Sequence, residues 1–102
     1  MYVMRTLRSF FAERAQKAKD RECRKILSHD CPPALPAAVS KTLSDQSWDI
    51  KTQFVAVSGD MTGMATGYNR IISITDPEGV DIGISHRRKE YKEIVRAYYG
   101  VR

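Results

Sequence analysis

The spacing of apolar residues changes at Trp48, and this change constrains the fold more than any other feature. Before it, apolar residues recur every three or four positions at Met4, Leu7, Phe11, Ala15 and Ala18, which is typical of a helix face. From Trp48 to Ala56 apolar and polar side chains alternate, which is the period of a half-buried strand. Helical and strand patterns thus occupy separate blocks, and this predicts an α+β domain.

Three helices are predicted around the strand block. Residues 3–28 form an N-terminal helix that either frays in the middle or breaks into a pair near Asp20, which would cap the second half. The prolines of "SHDCPPALP" end this helix, and Pro36 suits the first turn of a short second helix, "PAAVSKTLS". Residues 86–99 form the C-terminal helix, and Gly100 lies just past its end.

A three-stranded antiparallel sheet is predicted between the second and the last helix. After the strand that begins at Trp48, "YNRIISIT" and "VDIGIS" supply two more strands. The "DPEG" that joins them is a turn, with Pro77 at its second position and Gly79 in the left-handed position. The last helix packs on the sheet through Tyr91, Ile94, Val95 and Tyr98. The 102 residues are the length of a single compact domain, 1–102.

The charge is unevenly distributed along the chain. Residues 1–29 carry a net charge of +5, residues 30–85 a net charge of −4, and residues 86–102 a net charge of +4. No apolar run is long enough to span a membrane, and no signal peptide is evident. We therefore expect the two cysteines to be reduced thiols in a small, basic, intracellular protein of the cytoplasm.

The start of the last helix is the first candidate site. Arg87, Arg88 and Lys89 crowd its first turn, where the helix dipole already disfavours cations. Free N–H groups at this end and a row of cations would together bind an anion. A solvated basic face is the simpler interpretation of the same pattern. The proposed contacts, on this helix and on the first, are Arg87, Arg88, Lys89, Lys92, Arg96, Arg14, Lys17, Arg21 and Lys25.

Two known architectures would connect these cations to nucleic acid. In the order of its elements, the segment 48–100 resembles the double-stranded-RNA-binding domain, and "SHRRKEYKE" is similar to that family's basic helix start. The family usually has a small residue where Tyr91 stands, and it lacks the proline-rich insert. If the first helix is split, residues 20–44 instead resemble a helix-turn-helix, which would present Ser40, Lys41 and Ser44 to the major groove. No aromatic and basic alternation marks a strand face for single strands.

The alternative function is a protein-interaction module, such as an inhibitor or adaptor of the kind that viruses or phages encode. It would use the same basic face against an acidic protein, or the glycine-rich loop 59–67 against an apolar groove, to which Met61 and Met64 could make adaptable contacts. No pattern supports an enzyme, a cofactor or a small-molecule substrate. The spacing of Cys23, His29, Cys31 and His86 does not match the usual zinc motifs.

Overall fold

The chain folds as three helices and one antiparallel pair of strands. The computed structural model describes residues 7–57 and 66–101. Its elements, in chain order, are α1 (Leu7–Leu27), α2 (Ala37–Asp45), β1 (Asp49–Val57), β2 (Thr66–Thr75) and α3 (Arg88–Tyr99). The predicted α+β class is therefore confirmed, whereas the sheet has two strands in the described part of the chain.

One small core joins the elements near the base of the hairpin. It takes residues from the three helices, from β2 and from the segments beside the strands: Cys23, Ile26, Val39, Leu43, Trp48, Ile71, Ile74, Ile82, Tyr91 and Val95. From β1, the partly buried Ile50 packs against this core. α1 and α3 run antiparallel, because Gln16 donates to the carbonyl oxygen of Tyr99 at 3.4 Å, while Arg88, at the other end of α3, pairs with Asp30. α1 and α3 therefore lie side by side on this core.

α1 is one helix without a break. It continues through Asp20 to Leu27, so Asp20 caps no second helix, and the split on which the helix-turn-helix interpretation depended is absent. Only Cys23 and Ile26 of its described side chains are buried. Phe11 is 59% exposed, and Ala15 and Ala18, which the pattern placed on a packing face, are exposed as well. The first half of α1 therefore extends past the core.

The turn between the second strand and the following segment forms as predicted. Gly79 has a φ of +83°, the left-handed region that favours glycine, and its N–H donates to the carbonyl oxygen of Asp76 at 2.9 Å. Asp76 also donates its own N–H to the carbonyl oxygen of Val80 at 2.8 Å. The residues "DPEG" thus fix the chain reversal that the sequence indicated.

The predicted third strand, "VDIGIS", is wrong. It adds a single bridge, between Thr75 and Asp81, and one hydrogen bond from the N–H of Ile82 to the carbonyl oxygen of Ile74 at 2.9 Å. The side chain of Asp81 then accepts the N–H of Gly83 at 2.9 Å, and this local turn competes with a strand ladder. Without the third strand, the chain also loses the order of elements that resembled the double-stranded-RNA-binding domain.

The outer half of the β1–β2 hairpin extends away from the core. Residues 51–57 and 66–70, which we call the ribbon arm, are exposed except for the half-buried Val55. The radius of gyration is 18.0 Å, whereas a compact chain of this length has about 13 Å. The ribbon arm and the first half of α1 account for the difference in shape, because both lie outside the core.

α3 packs mainly against α1 and α2, which corrects the prediction that it lies on the sheet. Tyr91 and Val95 are buried as expected, and the Tyr91 ring reaches Trp48, just before β1, at a centroid distance of 6.3 Å. Tyr98, which was expected in the core, is 51% exposed. α3 ends at Gly100, whose φ of +70° gives the predicted left-handed cap.

Candidate functional site

Two of the three cations at the start of α3 pair with the protein's own carboxylates. Arg87 donates to both oxygens of Glu90, with its Nη2 2.9 Å from Oε2 and its Nε 3.2 Å from Oε1. Such two-oxygen contacts are the strong form of an arginine–carboxylate pair. The hydrogen bonds of Glu90 raise the pKa of Arg87. The positive charge of Arg87, which the sequence analysis assigned to an outside anion, is therefore already paired with Glu90, three residues further along the chain.

Arg88 is also paired, but with a distant part of the chain. Its Nη2 donates to the Oδ1 of Asp30, which lies 58 residues earlier, just after α1. The pair joins α3 to the segment that follows α1. Exposed pairs of this kind stabilise a fold by about 0–1 kcal/mol. The pair matters here for its charge, because Arg88 is the second cation of the predicted anion site that has a carboxylate beside it.

Two of the N–H groups at this helix start also have acceptors within the chain. The Oγ of Ser85 accepts the N–H of Arg87 at 3.0 Å, and the carbonyl oxygen of Ser85 accepts the N–H of Arg88 at 3.3 Å. Ser85 in turn donates its hydroxyl to Oδ2 of the buried Asp76. Ser85 thus fixes the turn that leads into α3, and the N–H groups of Arg87 and Arg88 are not available to an outside anion.

The other three cations of α3 differ in their exposure. Lys89 and Arg96 are exposed and Lys92 is half-buried; in the described chain none of the three has an ion pair within 4.0 Å. Arg96 lines a crevice between α1 and α3 together with Asp20 and Arg24. The row therefore runs along the seam between two helices, where its ends lie near Asp30 and Asp20.

The cations of α1 lie on the side of the helix that faces away from the core. With 3.6 residues per turn, Arg14, Lys17, Arg21 and Lys25 occupy an arc of about 80° and a length of about 16 Å. This arc is opposite the buried Cys23 and Ile26. We call these four residues the outer stripe; all four are exposed, and neither Glu13 nor Glu22 falls within the arc.

The outer stripe differs from the α3 start in its partners. In the described part of the chain, Lys17, Arg21 and Lys25 have no carboxylate within ion-pair distance. Arg14 does have an interaction partner, so the argument rests on the other three. The structure thus brings together on α1 what the sequence predicted for both terminal helices, a row of cations that face solvent.

A second polar surface, on the ribbon arm, was missed by inspection of the sequence. Gln53 pairs with Arg70 and Val55 with Tyr68, and paired residues share a face. Lys51 lies two residues before Gln53 and so points to the same side. Of these five residues, which we call the Tyr68 face, only Val55 is half-buried and the others are exposed. In the sequence, the only indication of this face is "YNR", in which Tyr68 and Arg70 lie two residues apart and so point to the same side of a strand.

The opposite side of the ribbon arm, which we call the apolar side, carries the Phe54 ring and no charged residue. Phe54 is 55% exposed, and its ring lies so close to Gly67 on the other strand that a side chain at position 67 would collide with it. At the base of this side, Ile50 and Ile71 meet Pro33 and Leu35. The two sides of the ribbon arm therefore differ, because only the Tyr68 face carries cations.

The remaining reactive groups have structural roles. Burial raises the pKa of the Cys23 and Cys31 thiols, which lowers their reactivity. Asp76, Glu78 and His86 place their ligand atoms within 4.8 Å of one another. However, Asp76 already accepts from Ser85 and from the N–H groups of Glu78 and Val80, and the first of these bonds contributes most to lowering its pKa. The Asp76 carboxylate therefore fixes the turn after β2 and holds Ser85 in the segment that leads into α3.

Met61 and Met64 lie outside the described residues, so the structure does not test the predicted partner loop. Within the described ranges, no helix is apolar enough over a sufficient length to cross a bilayer. Comparison with protein-family models, with curated proteins and with solved structures finds no match for this chain. Its function must therefore be argued from its own residues.

Proposed function

We propose that this protein binds the phosphate backbone of nucleic acid through the outer stripe of α1. The observation that carries the proposal is the row of Lys17, Arg21 and Lys25, which faces away from the core and has no acid opposite it. Lysine and arginine rows of this kind displace the counterions of a nucleic acid when they contact its phosphates. The net charge of +5 favours the same partner over long distances.

The α3 cations have a smaller part in this proposal than the sequence suggested. Arg87 and Arg88 already have carboxylate partners, so each would have to exchange a protein contact for a phosphate. Lys89, Lys92 and Arg96 add positive charge without forming a continuous solvent-facing row. We therefore assign the principal backbone contacts to Lys17, Arg21 and Lys25.

The proposal is tested by titrating the wild-type protein with labelled duplex DNA, duplex RNA and single strands. If these three cations contact phosphates, the logarithm of the affinity should fall against the logarithm of the salt concentration with a slope of about −2.1 to −2.7. This slope corresponds to a loss of about 20- to 40-fold between about 50 and 200 mM salt. If the protein binds none of the three nucleic acids at the lower salt concentration, the proposal is refuted.

A second candidate is a protein-interaction module, and the apolar side of the ribbon arm favours it. Phe54 is 55% exposed on this side of the arm, Ala56 is exposed two residues further along the same side, and exposed apolar surface that is contiguous often marks a protein interface. If the protein binds no nucleic acid but binds a defined partner, Phe54→Ser should weaken that complex while Lys17→Ala leaves it unchanged. Isothermal titration with the purified partner measures both variants.

A further inference from the structure

The Tyr68 face of the ribbon arm has a composition that the backbone proposal does not explain. Tyr68 is 55% exposed and makes no ring contact with another described aromatic residue. Arg70 and Gln53 form the next pair along the ribbon, about 7 Å away, and Lys51 follows at a similar distance. An aromatic ring, a hydrogen-bonding amide and two cations thus share one exposed surface.

The charge of this surface limits the kind of partner that fits it. The described residues of β1 and β2 beyond Asp49 include Lys51 and Arg70 and no carboxylate. Neither cation has an ion pair within the described chain. The arm therefore offers unopposed positive charge beside an exposed ring, which suits an anionic partner that also has flat apolar surfaces.

We propose that the Tyr68 face binds single-stranded nucleic acid, with a base stacked on Tyr68 and phosphates held by Arg70 and Lys51. This inference rests on the proposed function, and it specifies the form of the nucleic acid. The combination of cations along the backbone and aromatic rings under the bases is how proteins hold single strands without reading their sequence. In a duplex the bases are stacked on one another, so Tyr68 would have no face to pair with.

The geometry of the pairs gives each side chain a role. Tyr68 lies near the free end of the arm, opposite Val55, so a base can cover the ring without contact with the core. Arg70, one pair closer to the core, reaches the phosphate that adjoins the stacked base. Gln53 lies directly opposite Arg70 and can donate to or accept from a base edge.

The experiment compares Tyr68→Ala with Tyr98→Ala, because Tyr98 has a similar exposure of 51% but lies on α3. The probes are labelled oligothymidine of about 16 nucleotides and a duplex of the same length. Tyr68→Ala should weaken oligothymidine binding about 5- to 100-fold and leave duplex binding within twofold of the wild type. Tyr98→Ala should change neither. Tyr68→Phe should retain most of the single-strand affinity, because it keeps the ring.

The outcomes separate this inference from the proposed function. If Lys17→Ala with Arg21→Ala weakens binding but Tyr68→Ala does not, the backbone proposal holds and the ribbon inference is overturned. Equal losses on duplex and single strand for Tyr68→Ala would also overturn it. If the wild type binds neither probe, both proposals fail. Ultraviolet crosslinking of oligothymidine, followed by peptide mapping, should identify the peptide that contains Tyr68 and Arg70.

Discussion

The outer stripe of α1 and the start of α3 both contain clustered cations, but only the start of α3 has carboxylates that pair with its cations. On α1, Lys17, Arg21 and Lys25 are exposed and have no ion pair in the described chain, whereas on α3, Arg87 pairs with Glu90 and Arg88 with Asp30. The difference teaches that a cluster of cations predicts an anion site only when no carboxylate of the fold pairs with it. The two arginines at the α3 start belong to a structural junction, whereas the three cations on α1 are exposed.

Among the variants that test this comparison, we expect Asp76→Ala to lower the stability of the fold around the α3 start the most. Asp76 is buried and accepts three hydrogen bonds, one of them from Ser85, whose hydroxyl accepts the N–H of Arg87 at the start of α3. The variant leaves two N–H groups and a hydroxyl without their acceptor, which is among the more destabilising changes in a fold. Thermal unfolding should show a clear drop in melting temperature. Glu78→Ala, which removes an exposed neighbouring carboxylate, should show little change.

The same variant gives a prediction about pH. The folded pKa of Asp76 is lower than its usual value, which is about 3.9 in an unfolded chain. Ionised Asp76 therefore contributes stability above about pH 4, and this contribution is lost as the pH falls through the folded pKa. The difference in melting temperature between wild type and Asp76→Ala should be complete at neutral pH and shrink below about pH 4. A constant difference over this range would contradict the role assigned to the carboxylate.

A smaller effect is expected from opening the α3 start. Asp30→Asn removes the acid that faces Arg88, so Arg88 becomes available to a phosphate. The slope of affinity against salt should become steeper by about 0.7–0.9. Asp45→Asn is the matched control, because it removes one exposed negative charge from α2 without freeing a cation. If both variants change the slope equally, the effect is one of net charge alone.

We expect the smallest change in stability from Tyr91→Phe, which tests the packing of α3 against the core. Tyr91 is 2% exposed, and its hydroxyl has no hydrogen-bond partner within the described chain. Because an unpaired buried hydroxyl is unfavourable, its removal should raise the free energy of unfolding by up to about 1 kcal/mol. Urea denaturation measures the change. A loss of stability would mean that the hydroxyl is paired in solution.

Much of the fold follows from local patterns in the sequence. The turn at "DPEG", the Gly100 cap and the second helix after Pro36 depend on residues within a few positions of each other, and the structure has them all. The third strand failed because the Asp81 side chain accepts the N–H of Gly83, and an alternating pattern does not reveal this local competition. Local patterns therefore predicted the elements better than their pairing.

The candidate site was less predictable because its decisive contacts are distant in the sequence. Nothing near Arg88 indicates that Asp30, 58 residues away, would pair with it. The Tyr68 face likewise depends on the register that sets Gln53 opposite Arg70. Both contacts arise from packing and pairing of whole elements, so they become visible only in the folded chain.

The central claim is that the outer stripe, and not the start of α3, contacts phosphates. The most direct test measures the salt dependence of nucleic-acid affinity for two double variants, Lys17→Ala with Arg21→Ala, and Arg87→Ala with Arg88→Ala. Melting curves confirm that both fold. The first variant should flatten the slope by about 1.4–1.8, and the second should leave it nearly unchanged. A larger flattening for the α3 variant than for the α1 variant would contradict the account.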